Sequence, residues 1–162
     1  FGAAELLTGL GTFRGTGRRF ELVGTVHGVR VIDDYGHHPT EIQVTLAAAR
    51  RFAADGRLIV IFQPHRYSRT QAFAAAFAAA LDAADRAILL EVYAASEKPI
   101  EGVTAKLIMR QMKNGEYIPN FVEVTDSVIG SAQPGDVIMT LGAGDVSSLA
   151  PIIVDGLNRR FA

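Results

Sequence analysis

Short apolar runs alternate with segments of helical periodicity along most of this chain. Residues 20–26 and 29–34 are rich in β-branched and aromatic side chains, and His27-Gly28 between them has the length of a two-residue turn. This pattern predicts an antiparallel β-hairpin near the start of the folded region.

Beyond the hairpin, the pattern changes first to a helix and then to a buried strand. Apolar residues recur at helical spacing from Pro39 until Gly56 ends the run. The uninterrupted apolar run over 57–62 is typical of a strand buried on both faces of a parallel sheet. The remaining predictions are helices over 70–81, 104–113, 126–132 and 145–160 and strands over 86–93, 120–124 and 137–141.

This alternation predicts an α/β, Rossmann-like fold, with a mostly parallel sheet, helices on both faces and the β-hairpin at the start. In such a fold, right-handed crossovers place the ligand-binding loops at the carboxyl ends of the strands. Residues 1–17 differ, because they look like the last turns of a helix followed by a glycine-rich linker. We expect the domain itself to occupy residues 18–162.

Composition and charge exclude several functional classes. The 16 Lys and Arg residues against 17 Asp and Glu residues give a formal net charge of −1, so we expect no nucleic-acid partner and no membrane partner. The absence of cysteine excludes disulfides, thiolate nucleophiles and cysteine-bound metals. No apolar run approaches the roughly 20 residues of a membrane span, and no signal-peptide pattern is present, so we expect a cytoplasmic protein.

Two carboxylates and two imidazoles follow the predicted hairpin: Asp33, Asp34, His37 and His38. Such groups can bind a divalent metal, and an Asp that follows a strand can also bind the hydroxyls of a ribose. The structural alternative is a polar connection in which Asp34 caps backbone N–H groups and the imidazoles are solvated. Because His37 and His38 are adjacent, they point in different directions, which disfavours chelation by both.

Two further loops follow strands of the predicted sheet. Arg66 and Arg69, near the start of a helix, could clamp a carboxylate or a phosphate, or could simply pair with surface carboxylates. The turn 142–145 lacks a complete G-x-G-x-x-G motif because Ser147 replaces the last glycine, and Asp145 would oppose a phosphate. We therefore expect a tight turn with Asp145 as the helix N-cap. The chain has no P-loop motif.

Five sequence blocks, in order, resemble the C-terminal domain of the Mur ligases, the ATP-dependent amide-forming ligases of peptidoglycan synthesis. The most specific block is VIDDYGHHPTEI over 31–42. The other four are RRFE over 18–21, FQPHRYSRT over 62–70, VYAA with the following Glu97, Pro99 and Ile100, and LGAGDV over 141–146.

The resemblance implies a parent enzyme with a UDP-substrate domain, a central P-loop ATPase domain and this C-terminal domain. It implies ATP and Mg²⁺ as cofactors, and L-alanine and UDP-N-acetylmuramate as substrates that are joined through an acyl phosphate. Residues 1–17 would then be a residual helix and linker from the preceding ATPase domain. The fragment alone is expected to be inactive and to bind no cofactor tightly.

The resemblance also implies roles for individual residues. The residues implied to contact ATP are Arg19, Asp34 and Tyr35. Those implied to position the alanine and the phosphoryl group are His37, Arg66 and Arg69. No residue of the chain is assigned to a metal.

Two other functions remain open at the level of sequence. One is the same domain of the ligase that recycles muramyl peptides, although the block HRYSRT over 65–70 favours alanine addition. The other is a stand-alone module that binds a nucleotide or another anion without catalysis.

Overall fold

The structure, a computed structural model, describes residues 17–162. The strands are β1 (Glu21–Val26), β2 (Val29–Asp34), β3 (Leu58–Phe62), β4 (Arg86–Leu89), β5 (Gly115–Tyr117) and β6 (Val137–Leu141). The helices are α1 (Pro39–Ala53), α2 (Tyr67–Leu81), α3 (Lys106–Met109), α4 (Phe121–Ser131) and α5 (Leu149–Phe161), and a 3-10 helix (Asp145–Ser148) precedes α5. The residual helix and linker predicted over 1–17 lie outside the described residues, except for Gly17.

The six strands form one sheet in the order β1-β2-β6-β3-β4-β5. Only β1 and β2 pair antiparallel, and all the other neighbours are parallel. His27 and Gly28 turn the hairpin with φ values of 47° and 80°, a conformation that the glycine adopts without steric cost. The predicted Rossmann-like α/β fold with a hairpin at its start is confirmed.

Apolar side chains from the central strands fill the core on both faces of the sheet. In β3, Leu58, Val60 and Phe62 pack beneath α1 and α2, whereas Ile59 and Ile61 pack on the opposite side with α4 and α5. Because both faces are covered, every residue of β3 is buried, which explains its continuous apolar sequence. Complete burial of one such side chain contributes about 1.5–3 kcal/mol.

The sheet order brings three loops together. The last strand in sequence, β6, lies between β2 and β3, and its Leu141 is the register partner of both Asp34 and Phe62. The segments that follow β2, β3 and β6 therefore lie side by side at the carboxyl edge of the sheet, as the sequence predicts.

The segment between β4 and β6 differs from its predicted structure. The helix predicted over 104–113 contains an α-helix only at Lys106–Met109, and the strand predicted over 120–124 is wrong because α4 begins at Phe121. The side chain of Asn120 accepts hydrogen bonds from the N–H groups of Val122 and Glu123, at 2.8 and 3.1 Å, and starts this helix. The strand of this region is instead β5, which has only three residues.

Several other boundaries are shifted. Helix α2 begins at Tyr67 instead of residue 70, β4 ends at Leu89 instead of residue 93, and a 3-10 turn precedes the last helix. Asp145 is not an N-cap, because Gly144 occupies that position and no side chain caps the turn. Within 17–162, no helix combines the length and the apolar character that crossing a membrane requires.

Candidate functional site

A cavity of about 470 Å³ opens at the carboxyl edge, between the hairpin and α1. Phe20, Tyr35 and Val44 supply apolar wall, while Arg19 and Glu41 add charged groups. This volume and mixture of surfaces are typical of a small-molecule site. The three residues that the motif resemblance relates to ATP all line the cavity: Arg19, Asp34 and Tyr35.

The carboxylate of Asp34 holds two walls of this cavity together. One oxygen accepts the N–H of Phe20 at 2.8 Å, and the other accepts the N–H of Gly36 at 2.8 Å. Asp34 is only 6% exposed. The side chain therefore caps backbone N–H groups, which is the structural alternative considered for it from the sequence.

Arg18, to which sequence reasoning gave no role, connects three parts of the edge. Its Nε donates to Asp33 at 3.0 Å, its Nη2 donates to the Gly142 carbonyl at 2.6 Å, and its guanidinium lies 5.0 Å from the centre of the Tyr35 ring. The adjacent Arg19 lines the cavity instead. The two arginines of the motif therefore act differently, and their adjacency in sequence gives no signal of this.

His37 and His38 point to different places, as their adjacency predicts. Nδ1 of His38 accepts the N–H of Thr40 at 3.4 Å and caps α1, and Glu41 reciprocally accepts the N–H groups of both histidines. The N–H of His37, more than that of His38, lowers the pKa of Glu41, and burial opposes this shift. The His37 ring lies 5.3 Å from the ring of Tyr35 and 5.9 Å from that of His65, and so faces the site.

Arg66 lies at the N-terminal end of α2 in a backbone conformation that normally requires glycine. Its φ is 73° and its ψ is 137°, and such a conformation costs a non-glycine residue about 1–3 kcal/mol. Its N–H donates to the Tyr93 carbonyl at 2.8 Å, and its own carbonyl accepts from Thr70. Its exposed guanidinium makes no hydrogen bond with any described residue and is available to a ligand.

Arg69, one helical turn further on, contacts His65. Its Nη1 lies 3.2 Å from Nδ1 and 3.4 Å from the carbonyl oxygen of His65. The imidazole stacks on the Tyr93 ring, with the ring centres 5.6 Å apart and the planes inclined by 14°. Burial lowers the pKa of His65, and the positive charge of Arg69 lowers it further, which favours the neutral imidazole.

Glu97 anchors the start of α2 from the loop after β4. Its two oxygens accept the N–H of Ser68 at 3.0 Å and the hydroxyl of Ser68 at 2.6 Å. The Ser68 hydroxyl is also the main reason why the pKa of Glu97 lies below its ordinary value. These bonds hold the arginine-bearing end of α2 against the loop that carries Tyr93.

The turn 142–145 is packed tightly beneath this edge. Gln63 donates to the Asp145 carboxylate at 2.7 Å and accepts the N–H of Val146 at 3.1 Å. A Cβ at Gly144 would collide with the side chains of Gln63 and Tyr93. Between residues 17 and 162, no group of three His, Asp or Glu side chains could hold a metal ion, so the metal alternative gains no support there.

The family model for the Mur ligase, glutamate ligase domain, matches residues 18–144. The chain therefore belongs to the Mur ligase family, which confirms the resemblance drawn from the sequence blocks. The UDP-N-acetylmuramate–L-alanine ligase of Mycobacterium sp. (strain JLS) is 52% identical over 159 residues, which are 96% of this chain and 33% of that protein. The chain thus spans about a third of the length of the curated relatives it matches.

Solved structures agree with this family. The UDP-N-acetylmuramate–alanine ligase of Thermotoga maritima aligns with a TM-score of 0.80 and 28% identity, over 99% of this chain and 34% of that one. A murein peptide ligase of Psychrobacter arcticus aligns with a TM-score of 0.75 and 24% identity, over 93% of this chain and 32% of that one, and shows that the fold is shared.

Proposed function

We propose that this chain is the amino-acid-receiving and ATP-contacting domain of an ATP-dependent ligase that joins L-alanine to UDP-N-acetylmuramate. The observation that carries this proposal is the 52% identity, over nearly the whole chain, to a ligase named for that reaction. The geometry of the carboxyl edge supports this proposal, because the family's motif residues lie together where α/β sheets bind ligands.

Arg66, Arg69 and His37 form the amino-acid side of the proposed site. A guanidinium matches a carboxylate or a phosphoryl oxygen in shape and charge, and the Arg66 guanidinium is exposed. In the reaction, the alanine nitrogen attacks the carbon of the acyl phosphate, a C–N bond forms, phosphate leaves with the C–O bond electrons, and the nitrogen releases one proton to solvent. Positioning the two reactants in this way can lower the barrier by roughly 7–11 kcal/mol.

The cavity beside the hairpin forms the nucleotide side of the proposed site. The aromatic rings of Phe20 and Tyr35 suit the flat base of ATP, and Arg19 adds a positive charge at the rim. The chain has no P-loop motif, and its described residues contain no group of three or more His, Asp or Glu side chains that could hold a metal ion. We therefore assign the phosphate cradle and Mg²⁺ to the central domain of the full-length enzyme. We also place the site for UDP-N-acetylmuramate outside the C-terminal domain.

The proposal is tested by measuring ADP release from the full-length ligase that contains this sequence, with UDP-N-acetylmuramate and either L-alanine or the muramyl tripeptide as acceptor. We expect saturation by L-alanine, and we expect Arg66→Ala and Arg69→Ala to raise the KM for L-alanine or to lower kcat. Arg159→Ala, which removes an exposed arginine from α5, is the matched control. Preference for the tripeptide would identify the recycling ligase instead.

Calorimetry on the 162-residue chain tests the remaining alternative, a stand-alone binding module. We expect weak or undetectable binding of ATP, because the phosphates lack a cradle in this chain. Submicromolar binding of ATP without any other domain would contradict this expectation and support the module.

A further inference from the structure

His65 has no role in the proposed reaction, yet it is placed to orient one of the two arginines. Its ring nitrogen and its carbonyl oxygen both face Nη1 of Arg69, at 3.2 and 3.4 Å. A guanidinium can only donate hydrogen bonds. Nδ1 of His65 must therefore carry a lone pair for this contact, which requires a neutral imidazole with its proton on Nε2.

The orientation of the imidazole is fixed by the segment that follows β4. His65 and Tyr93 form a parallel β-bridge, in which the N–H of Tyr93 donates to the Pro64 carbonyl and the N–H of Arg66 donates to the Tyr93 carbonyl, both at 2.8 Å. The two rings stack above this bridge with an angle of 14° between their planes. The backbone bridge therefore fixes the orientation of the His65 imidazole, which in turn contacts Arg69.

The geometry points to His65 as a positioning residue, a neutral acceptor that orients the Arg69 guanidinium toward the carboxylate of the amino acid. This inference rests on the proposed function, and it separates the roles of the two arginines. Arg69 is fixed in advance by His65, whereas Arg66 has no side-chain hydrogen bond to the described part of the chain and can adjust to the ligand.

The charged groups around His65 disfavour its protonated form. Arg66 and Arg69 face it from the N-terminal end of α2 and His37 faces it from the loop after β2, while Glu97, from the loop after β4, favours the protonated form. Below the ordinary histidine pKa of 6.5, protonation would replace the acceptor with a cation and release Arg69. We therefore expect the KM for L-alanine to rise as the pH falls through this range.

The experiment uses the full-length ligase and compares His65→Phe with His65→Asn. Phe keeps the stacking surface but cannot accept a hydrogen bond. Relative to the wild type, we therefore expect about a tenfold higher KM for L-alanine with little change in kcat. This KM should not increase further as the pH falls. Asn offers an oxygen near the position of Nδ1 and cannot protonate. His65→Asn should keep the KM for L-alanine near the wild-type value, and this KM should not increase as the pH falls.

A double variant tests whether His65 acts through Arg69. His65→Phe combined with Arg69→Ala should give the same KM as Arg69→Ala alone, and additive effects would overturn the inference. If thermal unfolding shows that His65→Phe does not fold, His65→Asn provides the test. A KM for L-alanine that still increases at acid pH in His65→Asn, as in the wild type, would overturn the inference.

The two proposals fail in different ways. A wild-type enzyme without L-alanine-dependent ADP release contradicts the proposed function. A wild-type enzyme that uses L-alanine and loses affinity in Arg69→Ala, but is unaffected by His65→Phe at every pH, contradicts only the role of His65.

Discussion

At the amino ends of β3 and β6, Arg57 donates to both oxygens of Asp136, at 3.0 and 2.6 Å, and to the Ser131 carbonyl at 2.8 Å. Asp136, only 2% exposed, also accepts the N–H of Gln133. At the carboxyl ends, Arg69 meets a neutral imidazole, and Arg66 makes no side-chain hydrogen bond to any described residue. Arg57 therefore stabilises the fold at the amino end of the sheet, whereas Arg66 at the carboxyl end remains available to a ligand.

Glycines show the same difference. At the amino end, a Cβ at Gly56 would collide with the backbone carbonyl of Gly135, whereas at the carboxyl end a Cβ at Gly144 would meet the side chains of Gln63 and Tyr93. The Gly135 carbonyl cannot move without disturbing the sheet, whereas the side-chain oxygen of Gln63 can rotate away from Gly144. Substitution of Gly56 should therefore mainly affect stability, and substitution of Gly144 should also affect the site.

The largest effect is expected from Gly56→Ala. The new methyl group forces the segment carrying Gly135 away from its position beside β6, and we expect the free energy of unfolding to fall by about 3 kcal/mol. Urea denaturation of the 162-residue chain measures this loss.

Two glycines provide the controls for that substitution. Gly144→Ala should cost less, about 1–2 kcal/mol, because the Gln63 oxygen can rotate away, although Tyr93 has to shift together with its Cβ. Gly130→Ala, in α4 with open space around the new Cβ, should be neutral or stabilise by up to about 1 kcal/mol. Equal losses at positions 56 and 144 would contradict the difference between the two ends.

A smaller effect is expected from Arg57→Leu. This change leaves the carboxylate of Asp136 buried without its cation, and because Arg57 itself is 40% exposed we expect a loss of about 2 kcal/mol. Thermal unfolding of the chain measures it. Arg66→Leu is the matched variant and should change stability by less than about 0.5 kcal/mol, so a comparable loss there would contradict the availability of the Arg66 side chain.

A gain in stability is expected from Arg66→Gly. Glycine adopts a positive φ without strain, and after its greater freedom in the unfolded chain is allowed for, we expect a gain of about 1 kcal/mol, or about 2–4 °C in Tm. The full-length enzyme should at the same time lose affinity for L-alanine. A destabilised variant would show that the backbone at this position is not strained.

The smallest effect concerns Glu41, which is half exposed and accepts the N–H groups of His37 and His38. Because its pKa is lower in the folded chain, its contribution is present above the ordinary pKa of 4.5 and is lost as the pH falls through the folded value. Glu41→Gln should cost about 0.5 kcal/mol at pH 7 and nothing in strong acid. A pH series of urea denaturation curves checks this, with Glu123→Gln as the control.

The fold could be predicted where the sequence signal is local and strong. Continuous apolar runs identify β3 and β6, and the His27-Gly28 turn identifies the hairpin. The region between β4 and β6 could not be predicted, because the short segment FVEV over 121–124, with Glu123 among apolar residues, fits a strand or a helix equally well. The capping bonds of Asn120 and burial of Val124 and Val128 against α5 decide for the helix.

The edge of the candidate site could be predicted, but not its internal contacts. The alternation of strands and helices predicts a mostly parallel sheet, and its carboxyl edge carries the loops after β2, β3 and β6. The position of β6 between β2 and β3 comes from the structure alone. The pairing of Arg18 with the Gly142 carbonyl joins residues 124 positions apart, and the contact of His65 with Arg69 depends on ring orientation. Neither leaves a pattern along the sequence, so Arg18 and His65 received no role before the structure.

The position of β6 has a consequence for the order in which the site is built. The cavity draws on residues 19–45 and the arginine pair on α2, yet the strands that carry them, β2 and β3, pair only through β6. Direct contacts between the two halves come from the loops and helices, since the His37 ring lies 5.9 Å from that of His65 and the His38 ring 5.0 Å from that of Phe73. During synthesis, the sheet between β2 and β3 is completed only when residues 137–141 have left the ribosome.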